Sequence, residues 1–384
     1  MSWPDRRALA LLGVGLPIVQ APMAGAQGSG LAIAVAQAGG LASLPCAMLT
    51  AEQVRAEVAT FRAHTSGPIN LNFFCHVPPD AAVGEAAVAR WRARLREWYV
   101  RWGVDPEAPV AAGGRAPFDA VYCGLVEELR PEVVSFHFGL PEPGLLARVR
   151  ACGAKVLGSA TTVAEAVWLA ARGCDAVIAQ GFEAGGHRGM FLSTDISTQV
   201  GTMALVPQVV DAVQVPVIAA GGIADARGIV AAFALGAAAV QIGTAYLLCP
   251  EATIGARHRE ALRRGRDDGT AITNVFTGRP ARGVVNGMVS RPRHGLSLCA
   301  GGGGLDLGLM LAEPGYHTRA FVEWESWPRS VLIAAQRAGY FVPAPIWTDL
   351  RSFDARPFCG AFDAILAGYP CQPFSAAGKR GGAN

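Results

Sequence analysis

Lysine is almost missing: only Lys155 and Lys379 occur in 384 residues, and the other basic residues are arginine. Charged residues make up only 16% of the chain and aromatics 8%. Basic and acidic residues nearly cancel, leaving a formal net charge of +3, so no strong field directs the chain toward nucleic acid or an anionic surface. No apolar run reaches the ~18 residues of a membrane-spanning helix. The N-terminal stretch MSWPDRRALALLGVGLPIV is broken by Gly and Pro and lacks a small-residue cleavage site, so it reads as entry to a fold and not as a signal peptide. Cysteines number nine, scattered and without any CxxC pair, which excludes a disulfide framework and a zinc site. A reducing, cytoplasmic compartment fits that usage.

Apolar residues, at 51%, are plentiful, and they are patterned. Short apolar runs alternate with Ala-rich, helix-like stretches to about residue 250. The strand candidates are 17–22, 41–44, 69–74, 132–137, 155–159, 175–180, 216–220 and 238–244. Buried parallel strands read as continuous Val/Ile/Leu/Ala runs because helices cover them. Eight strand–helix units in roughly 250 residues predict an α/β fold of the (β/α)₈ TIM-barrel type, with an open doubly wound sheet as the alternative. An insertion over 78–117 carries a charged helix (85–101) whose Trp91 and Trp98 are expected to pack over the barrel mouth. Near residue 281 the pattern breaks, and LSLCAGGGGLDLGL starts a new strand, Gly loop and helix. A barrel with eight strands has no place for it. The expected organisation is a barrel over 1–285, a junction at 286–294 and a second segment over 295–384.

Catalytic residues of such barrels lie at the carboxyl ends of the strands. There the sequence gathers Gln20–Gly25, Asn72, His137, the run Gln180–Gly189, Gly221-Gly222 and Gln241–Thr244. Gly222 and Gly243-Thr244, following the last two strand candidates, suit a phosphate held by backbone N–H groups with help from a helix N-terminus. Asn72 and Gln180 can hydrogen-bond the polar rim of a flavin, or can satisfy strand-end backbone groups. Two histidines compete for the role of base: His187, behind a Gly-Gly pair that leaves room for substrate, and His137, ending the fourth strand.

The segments QAPMAG, INLNFF, VSFHFG, QGFEAGGHRG, AAGGIAD and QIGTAYL resemble, in order, those of the nitronate monooxygenases over about residues 12–285. The resemblance implies non-covalent FMN contacted by Met23, Asn72, Gln180, Gly185, Gly222, Gln241, Ile242, Gly243 and Thr244, and no metal. It also implies that His187 deprotonates a nitroalkane to its nitronate, which dioxygen converts to a carbonyl compound and nitrite. The family usually continues past the ARG-x-x-N region with closing helices, and those are expected to be missing here.

The second segment has a Gly-rich turn after a strand, an acid at the end of the next strand (FVEWE), a third strand ending at Asp349, and PCQPFS after a fourth. These resemble the first motifs of DNA cytosine-5 methyltransferases, a partial Rossmann-like fold. The resemblance implies contacts to S-adenosylmethionine from Gly301, Gly303, Glu323, Trp324 and Asp349, with Cys371 as the nucleophile toward a flipped cytosine. Cys299 departs from the family, which more often carries Phe there. The later glutamate motif and a strongly basic DNA-reading surface are absent: residues 286–384 hold nine basic and seven acidic residues. Methyl transfer is therefore not expected, DNA is a partner only if this segment works, and the whole reads as a fused reading frame more than as a bifunctional enzyme.

Overall fold

The computed structural model describes residues 3–78, 81–108, 116–286, 293–313, 316–359 and 361–368. The chain divides into two compact units, Met1–Val284 and Val285–Asn384.

The first unit contains β1 (Ile18–Gln20), β2 (Ala42–Pro45), β3 (Ile69–Phe74), β4 (Val133–His137), β5 (Lys155–Ala160), β6 (Ala176–Gln180), β7 (Gly186–His187), β8 (Val217–Ala220) and β9 (Ala239–Ile242). All but β7 form one parallel sheet in the order β1-β9-β8-β6-β5-β4-β3-β2. A parallel bridge between Val19 and Leu41 joins its two ends, with the Gln20 N–H donating to the Leu41 carbonyl at 3.0 Å. The sheet is thus a closed barrel, and the open-sheet alternative falls. β1 is shorter than its apolar run because Pro17 and Pro22 have no N–H for the ladder.

Side chains alternate across each strand, so one set faces the helices and the other fills the barrel. Along β4, Val134 and Phe136 join the outer cluster under the helices, while Val133, Ser135 and His137 point inward. The inward set changes character along the axis. Val19, Leu41, Val133, Leu157, Ala176, Ile218 and Ala239 form an apolar floor together with Ala8 and Leu12 of the N-terminal helix Arg7–Leu12. Toward the carboxyl ends of the strands come Ser43, Asn72, Ser135, Ser159 and Gln180. Water is excluded at the amino ends of the strands and polar chemistry is placed at their carboxyl ends.

β7 belongs to a separate antiparallel sheet with β10 (Thr270–Thr273) and β11 (Ala281–Val284), in the order β10-β11-β7. In the insertion, the helix Ala81–Trp102 holds Trp98 against Trp102, ring centroids 5.3 Å apart, and leaves Trp91 exposed. The described ring contacts of Trp98 are with its own helix.

The second unit has four parallel strands, β12 (Arg293–Leu298), β13 (Tyr316–Val322), β14 (Ile346–Trp347) and β15 (Ala364–Ala367), in the order β14-β13-β12-β15. Helices Gly304–Ala312 and Ser326–Arg337 connect them in the Rossmann-like manner. Leu296, Ala320 and Val322 pack one face, Phe321, Leu332 and Phe341 the other. Among the described residues no helix is long and apolar enough to cross a membrane.

Candidate active site

The run after β6 is held open by side chains that bind its backbone. Gln180 donates from Nε2 to the His187 carbonyl at 2.9 Å and accepts at Oε1 from the Gly189 N–H at 2.8 Å. As placed, its amide supports the loop, the structural role that its strand-end position also allowed. Arg188 is 1% exposed, and its guanidinium donates to the Gln180 and Gly181 carbonyls and to Gln199 Oε1 at 2.7–2.9 Å. Burial, then the charge of Arg282, pushes its pKa down to about 10, against the pull of Glu183 and Glu165. Arg282, on β11, donates to the Phe182 carbonyl at 3.1 and 3.2 Å. Three successive carbonyls are thus tied to arginines, which orients the loop with no carboxylate in direct contact with Arg188. Farther on, the buried Glu165 accepts the Phe191 and Leu192 N–H groups at 2.6 and 3.2 Å. Glu165 and the two arginines carry no sequence motif of their own. Arg188 lies inside the GGHRG run, where nothing in the sequence set it apart.

The two candidate bases meet at this mouth. His187 sits on β7, whose register pairs it with Ala281. Its Nε2 lies 2.9 Å from Thr277 Oγ1. His137 Nε2 donates to the His187 carbonyl at 3.3 Å. Phe74 and Phe138 separate and contact both rings, with centroids 4.6–6.2 Å from them. Burial above all, then the His187 charge, pushes the His137 pKa down to about 4, against the bond to the His187 carbonyl; the charge of Arg188 adds to the depression. Such a group is neutral at physiological pH and a poor acceptor of a carbon-bound proton. A third histidine, His76, packs on the same phenylalanines. Its Nδ1 is buried without a hydrogen-bond partner, and burial, followed by the Arg279 charge, lowers its pKa. It follows β3 in the run FFCHVPP, where a lone His carries no spacing signal.

A flavin phosphate and ribityl chain need a bare backbone lip and polar atoms without partners, and both are present. Gly221 and Gly222 have φ of +118° and +69°, a region that disfavours side chains. A Cβ on Gly185 would lie 3.1 Å from Thr244 Oγ1, and one on Gly243 would lie 3.8 Å from Met23 Sδ. These positions therefore converge. The carboxamide oxygen of Gln241 is buried with no donor, a debt of roughly 1–3 kcal/mol that a bound hydroxyl or N–H removes. Ile242 pairs with Gln20 and faces the outer core, so its side chain is packing and only its backbone reaches the lip. Asn72 donates to Ser135 Oγ at 2.9 Å and is 5% exposed. The residues fit the group. One expectation is corrected: the helix N-terminus after β8 is not free for phosphate, because Asp225 accepts the Arg227 and Gly228 N–H groups. After β9 the chain makes only a five-residue 3₁₀ turn. A phosphate there would meet loop N–H groups. Among the described residues no cluster of His, Cys, Asp or Glu is placed to hold a metal.

In the second unit, Glu323 ends β13 and its carboxylate accepts the Gly301 and Glu325 N–H groups at 2.6 and 2.8 Å. Gly301 and Gly303 have φ of +55° and +83°, so the Gly loop at the end of β12 is formed. Trp324 is 62% exposed, with the Arg351 guanidinium 5.0 Å from its ring. Asp349 accepts the Arg351 N–H and pairs with its guanidinium, closing a local turn. Cys371 lies outside the described residues. Asp306, which no motif marked, is fully buried and accepts from Ser297 and Thr318.

A closed barrel whose polar end carries a glycine lip and a histidine pair defines an α/β-barrel enzyme. Residues 6–300 match the family model for nitronate monooxygenase, and residues 294–384 match that for C-5 cytosine-specific DNA methylase. The chain belongs to the nitronate monooxygenase family and is an oxidoreductase. It is 43% identical over 294 residues to a nitronate monooxygenase of Pseudomonas aeruginosa, covering 73% of this chain and 80% of that one. To a nitronate monooxygenase of Paraburkholderia phytofirmans it is 41% identical, covering 74% and 78%. Among solved structures, a nitroalkane oxidase from Streptomyces ansochromogenes matches with a TM-score of 0.67 at 39% identity, over 73% of this chain and 80% of that one. FabK from Thermotoga maritima matches at 0.57 and 26% identity, over 88% and 85%.

Proposed function

We propose that the barrel oxidises nitroalkanes and nitronates with FMN and dioxygen, giving a carbonyl compound and nitrite. The observation that carries the reading is the division between two adjacent histidines. Both are part-buried, but His137 closes a barrel strand with its pKa pushed down to about 4, while His187 stands on a separate sheet beside the glycine lip. When bound, FMN supplies the electron acceptor for the nitronate. Gly185, Gly222, Gly243 and Thr244 hold its phosphate through backbone N–H groups, and Gln241 and Asn72 take its hydroxyls and ring edge. His187 removes the proton next to the nitro group, and the electron pair left on carbon delocalises onto the nitro oxygens. Phe74 and Phe138 keep water from the carbon. The names of relatives that act on nitronates and nitroalkanes support this substrate class.

The test is His187→Asn. The variant should keep its flavin, lose nitrite release from a neutral nitroalkane, and retain it with preformed nitronate, which has no proton to give up. Equal loss with both substrates would move the base to His137. For residues 295–384 we infer no methyl transfer from this chain, because residues 286–384 hold nine basic and seven acidic residues and so offer no strongly basic surface for reading DNA. A cytosine-methylation assay with labelled S-adenosylmethionine that returned counts in DNA would overturn that.

A further inference from the structure

The segment between β10 and β11 belongs to no barrel unit, yet it reaches the proposed base from two directions. Its backbone pairs β11 with β7, at Ala281↔His187 and Arg282↔Gly186. Its turn carries Thr277, whose hydroxyl is 2.9 Å from His187 Nε2, across 90 residues of sequence. The same turn carries Arg279, which donates to the Val77 carbonyl at 3.2 Å and lies over the Phe138 ring at 5.1 Å. The turn is thereby fastened to the segment after β3 and to the aromatic pair.

Thr277 Oγ1 also lies 3.3 Å from the Arg279 carbonyl and 3.4 Å from the Arg279 N–H. A hydroxyl has one proton and two lone pairs. A carbonyl only accepts, so placing that proton on the Arg279 carbonyl leaves the hydroxyl to accept from the imidazole N–H at Nε2. The basic lone pair then falls on Nδ1. A hydroxyl that accepts from Nε2 keeps its bond when the ring becomes imidazolium, and hydrogen bonds to charged groups are the stronger ones. Such a partner both fixes the ring plane and favours the protonated form. Among the described residues, the charged and titratable groups near His187 include His137 on β4, Arg188 next in the chain, and Arg279 and His76 around Phe138.

We propose that Thr277 is a positioning residue for His187, fixing its tautomer and raising its basicity; this rests on His187 being the base. The proton leaves the substrate carbon for the imidazole, and Thr277 only exchanges hydrogen-bond strength.

The experiment measures kcat/KM against pH for Thr277→Val, Thr277→Ala and Thr277→Ser, with a neutral nitroalkane and with preformed nitronate, beside flavin content. Loss of the hydroxyl should lower the nitroalkane rate about tenfold or more and move the ascending limb of its pH profile to lower pH. The nitronate rate and flavin content should not change, and Thr277→Ser should restore both rate and limb. An unmoved limb, or equal loss on both substrates in a flavin-loaded variant, would overturn the proposal. If Thr277→Val fails to fold, Thr277→Ala carries the same reading. His187→Asn separates the two levels: if it fails to discriminate the substrates, the base assignment itself falls, and Thr277 with it.

Discussion

His137 should make the barrel sensitive to acid, by an amount the structure sets. Its imidazole is part-buried against Phe74 and Phe138, and its pKa is pushed from 6.5 to about 4. An unfolded chain takes up the proton below pH 6.5, and the folded one refuses it until about pH 4. Stability from this group is therefore complete above pH 6.5 and lost as pH falls toward 4. At roughly 1.4 kcal/mol per pH unit the ceiling is about 3 kcal/mol, and at pH 5 about 2 kcal/mol. The variant His137→Gln keeps an N–H donor for the His187 carbonyl and has nothing to titrate. Urea unfolding at pH 7.5 and pH 5.0 should show wild type losing about 2 kcal/mol more than the variant across that interval. The difference between the two proteins cancels the carboxylates and the other histidines, which both chains share. Parallel losses would refute the reasoning, and would mean that water reaches the ring and leaves His137 an ordinary histidine. A native His137 that charges near pH 6.5 would also return it to contention as the base.

Gly221→Ala places a Cβ 2.8 Å from Thr202 Oγ1 and 3.0 Å from the Ala184 nitrogen at a φ of +118°. It should cost roughly 1–3 kcal/mol and weaken FMN retention, read by flavin content after gel filtration. Arg188→Met leaves the Gln180 and Gly181 carbonyls and Gln199 Oε1 without their donor in a buried site. It should lower the unfolding free energy by about 3 kcal/mol or more, read by urea denaturation at neutral pH, and a change below about 1 kcal/mol would show the guanidinium is dispensable.

The barrel was legible because its strands announce themselves. Runs such as VVSFH and AVIAQ are buried on both faces, one by helices and one by the barrel interior, so polar positions are few before the carboxyl end, Ser135 being one. There the inward residue turns polar, at His137 and Gln180, and that switch is what marked the mouth. The candidate site residues could be listed for the same reason; their partners could not. Gln180 reads as a ligand group from its position, but whether its amide faces a cofactor or the His187 and Gly189 backbone depends on the path of a loop that follows it. The two tryptophans of the insertion read as a cover for the mouth on composition alone, and a helix can satisfy Trp98 with its own Trp102 instead. The helix start after β8 is partly taken for a local reason: the Asp of GGIAD is a helix cap, and its carboxylate accepts two of the N–H groups there.

The largest omission was the hairpin of β10 and β11. TAITNVFTGRPARGV follows the eighth barrel strand, has short apolar runs around a Thr-Gly-Arg-Pro turn, and on a count of strands has no work to do. The chemistry gives it work. The part-buried His137, at the inward end of a barrel strand, has its pKa pushed down, chiefly by burial. A base that takes a proton from carbon near neutral pH needs a fixed geometry. β7 gives His187 one: it lies outside the eight-stranded sheet, and it is held in register by β11 and at its side chain by Thr277. The barrel thus supplies cofactor lip, floor and neutral neighbour, and the hairpin supplies the proposed base with a scaffold of its own. A family match that runs to residue 300, well beyond Ile242 where the last barrel strand ends, agrees with that division of labour.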